Sequence, residues 1–355
     1  MKKNERDYEH LNMLLETPSP SGHESTLINT WFNYLTRNEN EPKLYYQDKL
    51  GQKAVSVGNG PIKVLLTAHI DSVFARVSHV DSHGLVHLKH TGGTDREAFV
   101  CGNVIILGRK GEVYGIVGKA PIHINDKQTE HKYTDLKEVV VNVGAETKEE
   151  AEQLGIISGV PVIYERNINL NFGEHRIHAT ELDDKIGVYI ITKIFEFLTE
   201  NKGEWFTKYT VIVAPLCQEE VGGMGAYRMA KNINPDICFN FDVDHAQDYI
   251  QVHQNEVGDI ELGKGGIIQF GCDKSQRIVD LLINNCEAWN IPYQTNASKN
   301  RGTDTVHFQT ETTDCETMLI SIPNIYMHTT TEMCDWRDVD SIINMVAYTI
   351  TACDL

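Results

Sequence analysis

Nine side chains able to bind metal or move protons gather where apolar runs of this sequence end or begin. "VLLTAHID" ends in His69 and Asp71, "VIVAPLCQEE" in Glu219 and Glu220, "ICFNFDVD" in Asp242 and Asp244, and "NIYMH" in His328. "ELDDK" sets Asp183 and Asp184 at the start of a long apolar helix. No lysine or arginine stands beside Glu219 and Glu220 to neutralise the pair. Taken singly, each has a structural explanation: an N-cap for Asp183 or Asp184, a solvated pair before a turn, a satisfied core histidine. Taken together, like charges at one rim repel unless a cation sits among them. Histidine and carboxylate donors without cysteine suit zinc, cobalt or manganese. Two histidines and at least three carboxylates suffice for two ions with one shared ligand, spaced about 3.5–4 Å, which together activate a water and polarise a carbonyl. One glutamate of the pair can then bind metal while the other stays free as general base.

The elements that must position these groups follow from the apolar patterning. Tyr8, Leu11, Leu14 and Leu15 have helical spacing, and "TPSPSGHE" separates that helix from a second, "STLINTWFNYLTRN". "KLYYQD", "KAVSVG" and "IKVLLTAHID" read as strands. From about residue 74 to 171 the texture changes to short, glycine-punctuated β segments with one small helix in "GAETKEEAEQLGI". Beyond it helix and strand alternate: "HRIHAT", "DDKIGVYIITKIFEFLTE", "YTVIVAPL", "GGMGAYRMAKNI", "DICFNFDV", "SQRIVDLLINNCEAWN" and "NIYMHT". The expectation is a layered α/β domain, residues 1–73 and 172–355, with a mostly parallel central sheet and an inserted β-rich domain at 74–171. In such sheets ligands bind beyond the carboxyl ends of the strands, where distant segments meet.

Composition narrows the partners. The formal charge of −18 repels nucleic acid and anionic membranes. The eight cysteines are scattered without a C-x-x-C pair, and no apolar stretch reaches signal-peptide or membrane-helix length. A cytoplasmic protein with reduced thiols is expected.

The set "AHID", "LDDK", "EEVGGMGA", "FDVD" and "IYMHTTTE" resembles the dinuclear metallo-aminopeptidases of peptidase family forty-two, the glutamyl, leucyl and deblocking enzymes that build tetrahedral twelve-subunit shells. "GIVGKAPIH" and "VVVNVGAETKEEAEQLGIISGVPV" look like that family's insertion module and "RGTDT" like its glycine-threonine-aspartate loop. The resemblance implies two divalent ions per subunit, zinc or cobalt. His69 and Asp242 would hold one ion, Glu220 and His328 the other, and Asp183 would bridge them. Glu219 would be the base for a metal-bridging hydroxide, Asp71 would orient His69, and Thr303 would face substrate. It also implies short peptides as substrates, trimmed from the amino terminus, and a homo-oligomer, dimer-based and up to a dodecamer, paired through the insertion. Ser72 and Val73, Lys185 and Thr330 depart from the family's usual residues but remove no ligand.

Two alternatives use the same rim: a metal-dependent carboxypeptidase or N-acyl amino-acid deacylase, and a catalytically inactive, metal-stabilised peptide-binding shell. A glycosidase on Glu219 and Glu220 is disfavoured, because adjacent residues cannot readily flank a glycosidic bond at roughly 5–9 Å. "SHVDSHGLVHLKH" spaces His79, His83 and His87 four apart, too far along a strand for one ion. "GGMG" lacks a dinucleotide fingerprint, and its glycines are expected to allow tight backbone passage. His245 is expected to be exposed.

Overall fold

Four apolar runs, Ile62–His69, Tyr209–Leu216, Ile237–His245 and Glu316–Asn324, form the middle of an eight-stranded sheet. The computed structural model describes residues 5–37, 43–119, 121, 123, 139–248, 258–297 and 303–355. Tyr209–Leu216, Ile62–His69, Ile237–His245 and Glu316–Asn324 lie side by side in that order, all parallel. Lys53–Gly58 and Lys43–Gln47 extend one margin antiparallel. Gly266–Phe270 joins the other margin antiparallel and carries Tyr293–Ala297 parallel to itself.

The central strands lack polar alternation because both faces are covered. Successive side chains point to opposite faces. Val64, Leu66, Val211 and Val213 enter a core shared with the helices Glu5–Glu16, Ser25–Leu35, Leu182–Glu200, Gln276–Trp289 and Trp336–Ala352. Leu65, Ile212 and Ala214 pack on the opposite face with Ala226, Met229 and Phe308. Leu182–Glu200 is apolar around most of its circumference and is buried along most of its length, as a helix with no polar face must be. No helix among the described residues is long and apolar enough to cross a membrane.

Val73–Asn167 with His328–Thr330 forms a second compact unit, the remainder of the chain the first. The second unit is a closed six-stranded barrel, ordered Phe74–Val80, Val86–Thr91, Val140–Asn142, Gly111–Gly118, Asn103–Gly108, Pro161–Tyr164. Val77, Leu88, Phe99, Val104 and Ile106 fill its core.

Three local expectations are corrected. Ile168–Phe172, assigned mostly to the insertion, pairs with Arg176–Ala179 in a three-stranded sheet and belongs to the first unit. "NIYMH" is no strand: the strand ends at Asn324, and Tyr326 and His328 take φ of 65° and 64°, which extended pairing does not allow. His79 and His87 lie on two strands of a hairpin and face each other, rings stacked at 4.2 Å, rather than running along one strand.

One buried base makes stability pH-dependent. His10 stacks on Tyr34 at 4.0 Å, is 1% exposed, and neither ring nitrogen has a hydrogen-bond partner among the described residues. Burial, then the charges of Lys193 and Arg37, hold it well below its ordinary 6.5. The unfolded chain therefore takes up a proton near pH 6.5 that the folded chain refuses. This stability is complete above pH 6.5 and falls as pH drops below it, by up to about 1.4 kcal/mol per pH unit. In His10→Phe this loss disappears, so the melting temperature of the variant should gain on wild type between pH 7.5 and 5. A gap independent of pH would contradict the burial account.

Candidate metal centre

Parallel register delivers the chemistry to one edge of the sheet. His69 closes its strand opposite Leu216, so Cys217 to Glu220 leave the neighbouring strand at the same level. Asn240 pairs with Thr67, which puts Asp242 two residues further on, level with His69. The chain enters Leu182–Glu200 through Asp183 and Asp184, both non-helical and joined by a cis peptide. Asp184 Oδ1 accepts from the Gly187 N–H at 3.1 Å. The capping use proposed for these aspartates thus falls to Asp184. Its other oxygen, Oδ2, is buried without a hydrogen-bond partner among the described residues.

The tautomer of His69 decides what the site can hold. Nδ1 lies 3.0 Å from the Asp71 main-chain carbonyl, which only accepts, so the proton assigned by that contact sits on Nδ1. Nε2 then turns its lone pair toward Asp183 Oδ1 at 2.9 Å and Asp242 Oδ1 at 3.7 Å. A lone pair facing two carboxylates is repulsive unless positive charge intervenes. Burial alone would depress the imidazole, but Asp183, then Asp242 and Glu219, lift it well above its ordinary value. Burial likewise pushes up the carboxyls of Asp184 and Asp242, and their acidic neighbours add to it. Glu219 rises to about 7, through burial and the charges of Glu220, Asp183 and Asp71 against the opposing pull of His69. Donor atoms of His69, Asp184 and Asp242, and of His69, Asp183 and Glu220, lie within 4.8 Å of one another. Nitrogen and oxygen donors of this kind fit a divalent cation.

Asp71 contacts the His69 ring, as expected of a residue that orients it, and has a second task. Its carbonyl accepts from the His69 ring at 3.0 Å, and its carboxylate lies 3.8 Å from the same nitrogen. The buried carboxylate accepts from Ser21 Oγ at 2.6 Å and from the N–H groups of Glu219 at 3.0 Å and Glu220 at 3.3 Å. It therefore fixes the backbone carrying both glutamates. Behind that turn a Cβ on Gly225 would lie 2.2 Å from the Cys217 carbonyl, which is the tight passage that "GGMG" permits. Lys185 points away from the rim, donating to Glu181 and to the Thr17 carbonyl.

His328 belongs to the second unit and is in neither donor group. Its Nδ1 is 2.9 Å from the Gly93 carbonyl and so donates to it, a contact that places the ring's lone pair on Nε2. Thr303 lines a cavity of about 310 Å³ with Glu219, Glu220, Asp304, Val306 and His307. His245 is exposed. Sequence reading gave no separate role to Asp184, Glu332, Ser21 or Asp304. Glu332 is buried and accepts from the Asp183 N–H at 2.9 Å. The signal for it was an acid at the end of "IYMHTTTE", where it opens the strand Glu332–Asp335.

A parallel sheet whose strand ends gather nitrogen and oxygen donors is a framework that could hold a divalent cation. The sequence profile of the M42 glutamyl aminopeptidase family matches residues 52–345, and the chain belongs to that family. It is 30% identical over 344 residues to the lysyl aminopeptidase of Pyrococcus furiosus, covering 96% of this chain and 95% of that protein. Among solved structures it is similar to the TET aminopeptidase of the marine-sediment Thaumarchaeota archaeon SCGC AB-539-E09. The TM-score there is 0.90 at 24% identity, over 99% of this chain and 97% of that one. It is also similar to the TET1 peptidase of Pyrococcus horikoshii, with a TM-score of 0.84 at 23% identity over 98% and 100%.

Crowded acids predict an inverted stability effect. Asp242→Asn should raise the melting temperature of metal-free protein by relieving repulsion, and should weaken zinc or cobalt binding at least tenfold in calorimetric titration. A variant less stable without metal, yet equally tight for metal, would exclude Asp242 from the centre.

Proposed function

We propose that the protein is a dinuclear metal-dependent aminopeptidase that removes amino-terminal residues from short peptides, with Glu219 as general base. The observation that carries this reading is the His69 Nε2 lone pair set against buried carboxylates, with Glu219 beside them and outside both donor groups. His69 and Asp242 would hold one ion, with Asp184 in reach of it. Glu220 and His328 would hold the other, and Asp183 would be shared. When bound, a divalent pair of this kind, zinc or cobalt, supplies a water acidified to about pKa 7 and polarises the scissile carbonyl.

The chain's own residues do the rest. Glu219 lines the cavity and takes the proton of the attacking water, then passes it to the leaving amine. Asp71 keeps Glu219 and Glu220 in place through their N–H groups. Thr303 faces the substrate from across the cavity. Membership of an aminopeptidase family favours free-amine peptides over the N-acyl substrates of a deacylase.

The barrel unit is proposed to pair subunits. Tyr114 and Ile116, on one face of Gly111–Gly118, are 53% and 51% exposed, large apolar surface of the kind interfaces cover. The P. horikoshii TET1 peptidase, which this chain resembles in fold, can assemble into a tetrahedron or a large octahedral shell.

Glu219→Gln should bind metal as wild type does and lower kcat on aminoacyl-p-nitroanilides by about 10²–10⁴. Wild type should leave the N-acetylated compounds intact. Cleavage of N-acyl substrates in preference to free amines would transfer the assignment to a deacylase.

A further inference from the structure

One buried acid on the cavity wall makes no side-chain hydrogen bond among the described residues. Asp304 is 2% exposed, and neither carboxylate oxygen has a hydrogen-bond partner among the described residues. It stands at the N-cap of the short helix Thr305–Glu311, where an aspartate ordinarily accepts a backbone N–H. Here its side chain makes no capping bond. Neither donor group at the metal centre includes it. The side chain that could cover it from the opposite loop is missing: a Cβ on Gly223 would lie 3.0 Å from Asp304 Oδ1 and 2.3 Å from His307 Nε2.

Among the described residues no lysine or arginine hydrogen-bonds to this carboxylate. Burial, then the charges of Glu219, Asp71 and Glu220, push it well above the usual range against the opposing pull of His69. His307, on the same cavity wall, is itself held low by burial, which favours the neutral ring. An orphaned buried carboxylate of this kind is costly until a cation pairs with it. The cavity, about 310 Å³, is of a size that takes a small organic guest.

We propose that Asp304 is the receptor for an ammonium group of the substrate, either the α-ammonium of the peptide or the side-chain ammonium of a first-residue lysine. The proposal rests on the aminopeptidase reading, which supplies a substrate that always bears a free amine. An ammonium donates up to three hydrogen bonds and cannot accept, so the bare oxygens of Asp304 match it, whereas an N-acyl group would leave the carboxylate unpaired.

The test measures binding rather than turnover. Metal-loaded Glu219→Gln, with and without Asp304→Asn, is titrated calorimetrically with leucinamide, lysinamide and their Nα-acetyl forms. Equal losses of tenfold or more for leucinamide and lysinamide, with the acetylated forms unchanged, place the α-ammonium at Asp304. A loss confined to lysinamide and Nα-acetyl-lysinamide places the side-chain ammonium there. The proposal is overturned if Asp304→Asn changes none of the four, if it weakens Nα-acetyl-leucinamide equally, or if no amine binds the parent at millimolar concentration. Failure of the aminopeptidase reading is separate, since it is scored by wild-type hydrolysis of free-amine substrates and not by these affinities.

Discussion

Like charges confined at one edge of a buried sheet set the terms for everything else in this protein. Two unit charges about 4 Å apart interact by about 4 kcal/mol even at an effective dielectric of 20. Around His69 stand Asp183, Asp184, Asp242 and Glu220, with Glu219 close enough to shift the ring. A few such repulsions approach the whole net stability of a domain, about 5–15 kcal/mol. The arrangement is tolerable when positive charge occupies its centre. A proton on His69 supplies one unit; two divalent cations supply four.

The scaffold holds the acidic segments in place largely through their backbone N–H groups. Asp71 grips the N–H groups of Glu219 and Glu220 and is itself held by Ser21. Glu332 takes the N–H of Asp183, and Asp184 spends one oxygen on Gly187. The basic residue next in sequence, Lys185, is tied to Glu181 and Thr17 and so does not fill the centre with a side-chain cation. The backbone thus fixes the rim while leaving the donor atoms of His69, Asp184 and Asp242 close together, an arrangement that suits a divalent cation.

Strand ends were the readable part of this architecture. Apolar runs closing in "AHID", "CQEE" and "FDVD" announce both the parallel sheet and the acids beyond it, because a strand buried on two faces has no other place for charge. Less legible were groups whose role depends on backbone contacts. Asp71 reads as a partner for the His69 ring, but its hydrogen bonds to the N–H groups of Glu219 and Glu220 come from a turn 148 and 149 residues away. His328 looks like a strand terminus, but the strand stops at Asn324 and two left-handed residues turn the chain beyond it. His79 and His87 meet through a hairpin that spacing along a single strand does not convey. Asp304 looked like part of a loop, since nothing in "RGTDT" tells a capping aspartate from one left bare.

The most direct measurement is the number of divalent ions bound per chain at saturation, by elemental analysis of zinc-loaded protein after removal of free metal. The account predicts two ions per chain, falling when His69 is replaced by alanine. Protein that retains no zinc, or an equal amount after that replacement, would contradict it, because the charge at the rim would then be balanced without metal.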